Sequence, residues 1–185
     1  MAVSAPPLTK EDYRLLPDSG PRYQLIEGEL YMSPAPSRYH QVISRNIEFI
    51  VLKYLESDPR GEIYHAPFDV YLSEHDVFQP DIVFVAKENF KVLTDAGVEG
   101  TPDFVVEILS PSTAYLDKKS KLRVYARTGL KELWIVDPEP RLVQVYRLKE
   151  NPSQPMATYG ENDRFTSPHF PGLEISVAEI FKKVV

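Results

Sequence analysis

The chain of 185 residues contains no cysteine, so disulfides, a thiol nucleophile and thiolate-held metals are excluded at once. No apolar run approaches the roughly 20 residues that would cross a bilayer. The opening Met1-Ala2-Val3-Ser4-Ala5-Pro6-Pro7 lacks the basic start and apolar stretch of a secretory signal. The expected location is therefore the cytoplasm, with no membrane partner. Gly-rich phosphate loops of either common type and the Gly-x-Ser-x-Gly elbow are also missing. The four histidines, His40, His65, His75 and His169, do not stand at zinc spacing, and a lone histidine such as His40 is more often a hydrogen-bonded structural residue than a ligand.

What the chain does contain fits one domain over residues 1–185. Its hydrophobic content of 43% and charged content of 26% are ordinary for a globular core. The 17 prolines are scattered, and read as punctuation between short elements. A net charge of −6 argues against a protein that coats nucleic acid non-specifically, since phosphate contacts need Lys and Arg. The charge is uneven, however. Between Asp117 and Lys131 six basic residues (Lys118, Lys119, Lys121, Arg123, Arg127, Lys131) meet one acid. Such a run is usually a solvated helix face, but it also suits a protein with a single phosphate-facing edge.

Local patterns give an order of elements. Thr9 and Asp12 form a near capping box for a short helix ending before Pro17. Arg22 to Ser33 alternates around Gly28 and reads as a strand pair or bent strand. Tyr39, Ile43, Ile47, Ile50, Tyr54 and Leu55 recur at helical spacing, so a helix is expected from Ser37 to about Ser57. Strands are expected over Glu62 to Leu72, Gln79 to Ala86 and Asp103 to Leu109, the last two nearly continuous apolar runs suited to central strands. A second helix runs from about Ala114 to Thr128, with Gly129 just past its end. Strands follow over Glu132 to Val136 and Arg141 to Leu148, and then an ill-defined tail. This alternation implies an α/β fold with a mixed sheet flanked by helices.

Two acids stand out on the most apolar strands. Asp81 follows Pro80 at the mouth of one, and Glu107 lies inside the other between Val105, Val106, Ile108 and Leu109. A carboxylate in such a run is costly unless a cation compensates it. One reading is a buried ion pair with a basic residue of the following helix. The other is an open site for a hard divalent cation, which takes carboxylates and completes its shell with water.

The ordered set Pro80-Asp81, Pro102-Asp103-Phe104-Val105-Val106-Glu107-Ile108-Leu109-Ser110-Pro111-Ser112-Thr113, Asp117, Lys121-Leu122, Tyr125, Gly129 and Glu132-Leu133-Trp134-Ile135-Val136-Asp137-Pro138 resembles the Uma-two family. Tyr23-Gln24-Leu25-Ile26-Glu27-Gly28-Glu29-Leu30 and His40 fit it as well. Members of that family are candidate endonucleases of the PD-(D/E)XK superfamily. The resemblance implies a restriction-endonuclease-like α/β/α core, a Mg²⁺ or Mn²⁺ cofactor held by Asp81 and Glu107, and nucleic acid, DNA first, as partner. No residue distinguishes DNA from RNA. The superfamily usually carries its lysine two residues after the glutamate, where this chain has Leu109. The family pattern moves it to the next helix, where Lys121 matches, although spacing alone does not choose between it and Lys118. The family implies a further acid where this chain has Gln24, which retains a carbonyl able to coordinate or to orient water. Glu27 and Glu29 stand nearby.

Two other readings remain open at this level. A decayed nuclease fold would bind nucleic acid or a partner without cleaving, and a glycosidase would pair its carboxylates beneath exposed aromatics. Tyr159, Phe165 and Phe170, with the apolar strands near the C-terminus and no obvious helix to cover them, also suggest a homo-oligomer.

Overall fold

This computed structural model describes residues 6–17, 19–110 and 114–183, without the side chains of 114–118. Residues 111–113 of the family-like run, and the side chains of Asp117 and Lys118, lie outside the described residues.

Thr9 caps α1 (Lys10–Arg14): its hydroxyl accepts the Asp12 N–H while the Asp12 carboxylate accepts the Thr9 N–H. The hairpin of β1 (Arg22–Ile26) and β2 (Glu29–Ser33) turns at Glu27 and Gly28, left-handed at φ 52° and 81°. Two successive left-handed residues make the turn whose twist matches a two-residue hairpin. Ser37 caps α2 (Arg38–Ser57), which buries Ile43, Ile47, Val51 and Leu55 along one stripe.

The expected strand over Glu62 to Leu72 is two strands, β3 (Gly61–His65) and β4 (Val70–Ser73), in different sheets. Pro67, after a cis peptide, has no N–H for a ladder, and the Ala66 N–H turns instead to the Asp81 carbonyl. Next come β5 (Asp76–Phe78) and β6 (Ile82–Ala86), so the expected strand from Gln79 starts later and Asp81 lies one residue before it. A single 3₁₀ segment, Lys87–Val92, leads to β7 (Leu93–Thr94), β8 (Gly97–Glu99) and β9 (Phe104–Ile108). Then follow α3 (Ala114–Thr128), β10 (Glu132–Asp137), β11 (Leu142–Arg147), β12 (Ala157–Tyr159), β13 (Arg164–Phe165), β14 (Ile175–Ser176) and α4 (Val177–Phe181).

The central sheet has the order β12-β11-β10-β9-β6-β3, with β9 and β10 parallel and its other pairs antiparallel. One face packs on α2 and α4 through Ile82, Phe84, Phe104, Val106, Trp134 and Val136. The other presents Val83, Val85, Val105, Leu133 and Ile135 to Val124 and Tyr125 of α3 and to a second sheet, β2-β1-β5-β4-β8-β7. The α/β class with helices on both sides of a mixed sheet is thus observed. The second six-stranded sheet is an addition to what the sequence suggested.

The tail corrects another expectation. Phe165 and Phe170 are buried, and Tyr159 stacks on Phe165 with ring centroids 4.9 Å apart. The five-residue α4 covers this end with Val177, Ile180 and Phe181, all inside the core. The apolar area that suggested a homo-oligomer is therefore internal to one chain.

His169 sits against Phe84, Phe104 and Phe170, at centroid distances of 6.2, 6.1 and 6.4 Å. Burial disfavours its cation and lowers its pKa from the ordinary histidine value, despite the opposing charge of Asp103. A lowered histidine stabilises the fold above the unfolded pKa of about 6.5 and loses that contribution as pH falls, by up to about 1.4 kcal/mol per pH unit. Urea unfolding at pH 7.5 and 5.5 should show the parent losing more stability than His169→Gln. Equal losses would remove His169 from the acid response.

Candidate active site and metal centre

β6 and β9 run antiparallel with Ile82 opposite Val106 and Val83 opposite Val105. One further step of that register sets Asp81 opposite Glu107, where directly facing residues have Cβ atoms about 5 Å apart. Alternation puts Glu107 on the same face as Val105, toward α3, because successive side chains point to opposite faces. The Asp81 Oδ2 accepts the Ile108 N–H at 2.7 Å, which ties the loop carrying one acid to the strand carrying the other.

Glu107 is held by α3. Lys121 Nζ lies 3.1 Å from Oε1 and 3.0 Å from Oε2, and the Tyr125 hydroxyl donates to Oε1 at 2.5 Å. Lys121 and Tyr125 are one helical turn apart and so point the same way. The face turned to the sheet carries Lys121, Val124 and Tyr125, all buried, with Leu122 and Ala126 partly buried against the same core. Lys121 is only 6% exposed. Its ammonium enters because Glu107 waits for it and the Phe78 ring centroid lies 5.6 Å away, within cation–π range. The side chains of Asp81 and Glu107 remain 18% and 15% exposed, enough for water to reach them.

His40, in the first turn of α2, completes the group: its Nε2 lies 3.2 Å from Asp81 Oδ1. Burial works against the imidazolium, but the hydrogen bond and charge of Asp81, the Ile108 carbonyl and the charge of Glu107 outweigh it and raise the His40 pKa.

A family model described as "Putative restriction endonuclease" matches residues 10–178, nearly the whole chain. The chain belongs to this family, Uma2. A crystal structure described as a putative nuclease belonging to DUF820, from Anabaena variabilis, is similar at 20% identity. It aligns with a TM-score of 0.79 over 95% of this chain and 98% of that one, a likeness of fold. No curated protein matches the chain.

Of the residues that carry the family resemblance, the geometry groups Asp81, Glu107 and Lys121 with His40 and Tyr125. Gln24 stands on β1, buried, with Nε2 donating to Ser33 Oγ at 2.8 Å and Oε1 accepting the Gln79 N–H at 3.3 Å. It braces the segment that leads into Asp81. Glu27 is not part of the group: Arg123 and Arg127 each reach it at 2.9 Å. Glu29 accepts from the Tyr31 hydroxyl on the exposed hairpin. Among the described residues, no three His, Asp or Glu side chains gather closely enough to cage a metal alone. Two facing, partly exposed carboxylates do fit a hard cation that keeps water in its shell.

The expectation of a basic edge along α3 needs revision. Lys121 is spent on Glu107, Arg127 on Glu27 and the fully buried Asp76, and Arg123 on Glu27. Lys131 reaches Asp103, another buried acid that also accepts from the Ala86 N–H and Asn89. Burial alone would raise the Asp103 carboxyl, and these partners together hold it below its ordinary value. The strip clamps the helix to acids beneath it, and at these four positions it is neither a free phosphate track nor a merely solvated face.

Replacing Lys121 with methionine keeps the stem and leaves Glu107 in apolar surroundings without its cation. Breaking one partner of such a pair typically costs about 3–5 kcal/mol, and partial hydration of Glu107 reduces that to about 2–3. Urea unfolding of Lys121→Met in chelator should show this loss. A loss within about 0.5 kcal/mol, the scale of a surface change, would contradict the pair's structural weight.

Proposed function

We propose that this Uma2 chain is a divalent-cation-dependent endonuclease that hydrolyses phosphodiester bonds in nucleic acid. The observation that carries the reading is the facing pair Asp81 and Glu107, partly exposed, with the buried Lys121 ammonium on Glu107. A bound Mg²⁺ or Mn²⁺, held by Asp81 and Glu107, would supply a water of lowered pKa and a Lewis acid for the phosphate. The chain's own residues do the remaining work. Asp81 and Glu107 orient the cation, and the backbone N–H of Ile108 fixes the Asp81 carboxylate plane. Lys121 pairs with Glu107 and would bring positive charge to where the phosphate oxygens gain negative charge. Tyr125 holds Glu107 from the side and limits its rotation. Gln24 supports the approach to Asp81 through Gln79 and is assigned a positioning role.

A second reading, a binding module without cleavage, draws on the neutralised basic strip and on Gln24 in place of an acid. Calorimetry with Mn²⁺ and a cleavage assay on plasmid and single-stranded substrates separate the two. The parent should bind Mn²⁺ and cleave, Asp81→Asn should do neither, and Lys121→Ala should lose about a hundredfold or more in rate. Lys119→Ala, a change at an exposed position of the same helix, should cleave like the parent. A parent that binds no divalent ion and cleaves nothing overturns the nuclease reading in favour of the binding module.

A further inference from the structure

We propose that His40 is the positioning residue for Asp81, and that through this contact α2 sets the affinity of the site for its divalent cation. The inference rests on the metal-dependent reading above and adds a residue to it from a different layer of the fold. An ionised carboxylate only accepts hydrogen bonds, so the imidazole must present Nε2–H to Asp81 Oδ1 across their 3.2 Å. With Ile108 N–H on Oδ2, both oxygens of Asp81 are then held from the protein side. The carboxylate plane is fixed by a strand on one side and a helix on the other, and the lone pairs that remain are those a cation would meet. Each carboxylate oxygen carries two acceptor directions, so His40 and a cation do not compete for the same one.

The other ring nitrogen supplies an independent observation. Among the described residues, His40 Nδ1 is buried and makes no hydrogen bond of good geometry. Buried polar atoms nearly always have partners, and one that lacks them needs a reason. A histidine present only for packing or to bridge two elements would be expected to use both nitrogens, or to be replaced by an apolar side chain without loss. Here one nitrogen carries an unfavourable burial and the other holds a carboxylate at the candidate metal centre. Ser37 caps α2 by accepting the His40 backbone N–H at 3.2 Å, so the first turn that aims the ring is itself fixed. At the far end of that turn's neighbourhood, Asn46 Nδ2 binds the carbonyls of Glu179, Ile180 and Lys182 and anchors the helix to α4.

Stability and cation affinity should therefore move in different directions on substitution. His40→Leu removes the unpaired nitrogen and fills the same space, so its thermal midpoint in chelator should equal or exceed the parent's. Its Mn²⁺ affinity should fall about 10–100-fold, the usual loss when a partner of a metal-binding carboxylate is removed. His40→Gln, whose amide N–H reaches about as far as Nε2, should recover most of that affinity, whereas His40→Asn, which reaches only as far as Nδ1, should not. The measurements are Mn²⁺ calorimetry and thermal unfolding of the four full-length proteins. A His40→Leu protein that binds Mn²⁺ as tightly as the parent overturns the proposal and leaves the metal-dependent reading intact. So does one whose affinity falls together with its thermal midpoint and is not rescued by Gln, since His40 is then structural. A parent that binds no Mn²⁺ overturns both.

Discussion

A carboxylate inside an apolar strand is unfavourable wherever the chain folds, and Glu107 makes the surrounding architecture answer that cost. Its strand lies between β6 and β10 at the middle of the central sheet, and neither neighbouring strand contains a basic residue. Compensation has to come from above, from α3, and it arrives as Lys121 with Tyr125 one turn later. This fixes the rotation of α3 about its axis, which in turn aims Arg123 and Arg127 at Glu27 and Asp76 beneath the hairpin. One buried acid thus registers a helix against two sheets.

The same logic explains why the site is open. Asp81 stands one residue ahead of its strand, and its carboxylate is satisfied by a backbone N–H and a histidine instead of a lysine. Among the described residues, Glu107 is paired with a lysine while Asp81 is paired with a histidine. A site with two negative groups and one fixed positive one retains an attraction for a further cation, and the partial exposure of both acids gives that cation its water.

How much of this was legible beforehand depends on which physical signal each residue carries. Asp81 and Glu107 announce themselves locally, because charge beside Val and Ile is improbable without a purpose. The core helices and central strands are legible for a similar reason, since Ile43, Ile47, Val51 and Leu55 repeat at the helical period. Lys121 could be selected only through the family pattern, as its spacing does not exclude Lys118. His40 fits the family pattern, but nothing local ties it to Asp81: 41 positions separate the two, and only the packing of α2 on the sheet brings them together. The second sheet leaves little trace in the sequence because several of its strands, such as β5, β7 and β8, are two or three residues long, too short to show a period. The tail was misread for the same reason: α4 is five residues, and its burial depends on long-range packing against α2.

The central claim is that Asp81 and Glu107 share one cation. The most direct measurement is anomalous diffraction from a crystal grown with Mn²⁺, collected at an energy where manganese scatters strongly. A peak within about 2.5 Å of oxygens from both side chains, with Lys121 still on Glu107, is the expected result. A peak bound elsewhere, or none beside these two acids at saturating Mn²⁺, would contradict it.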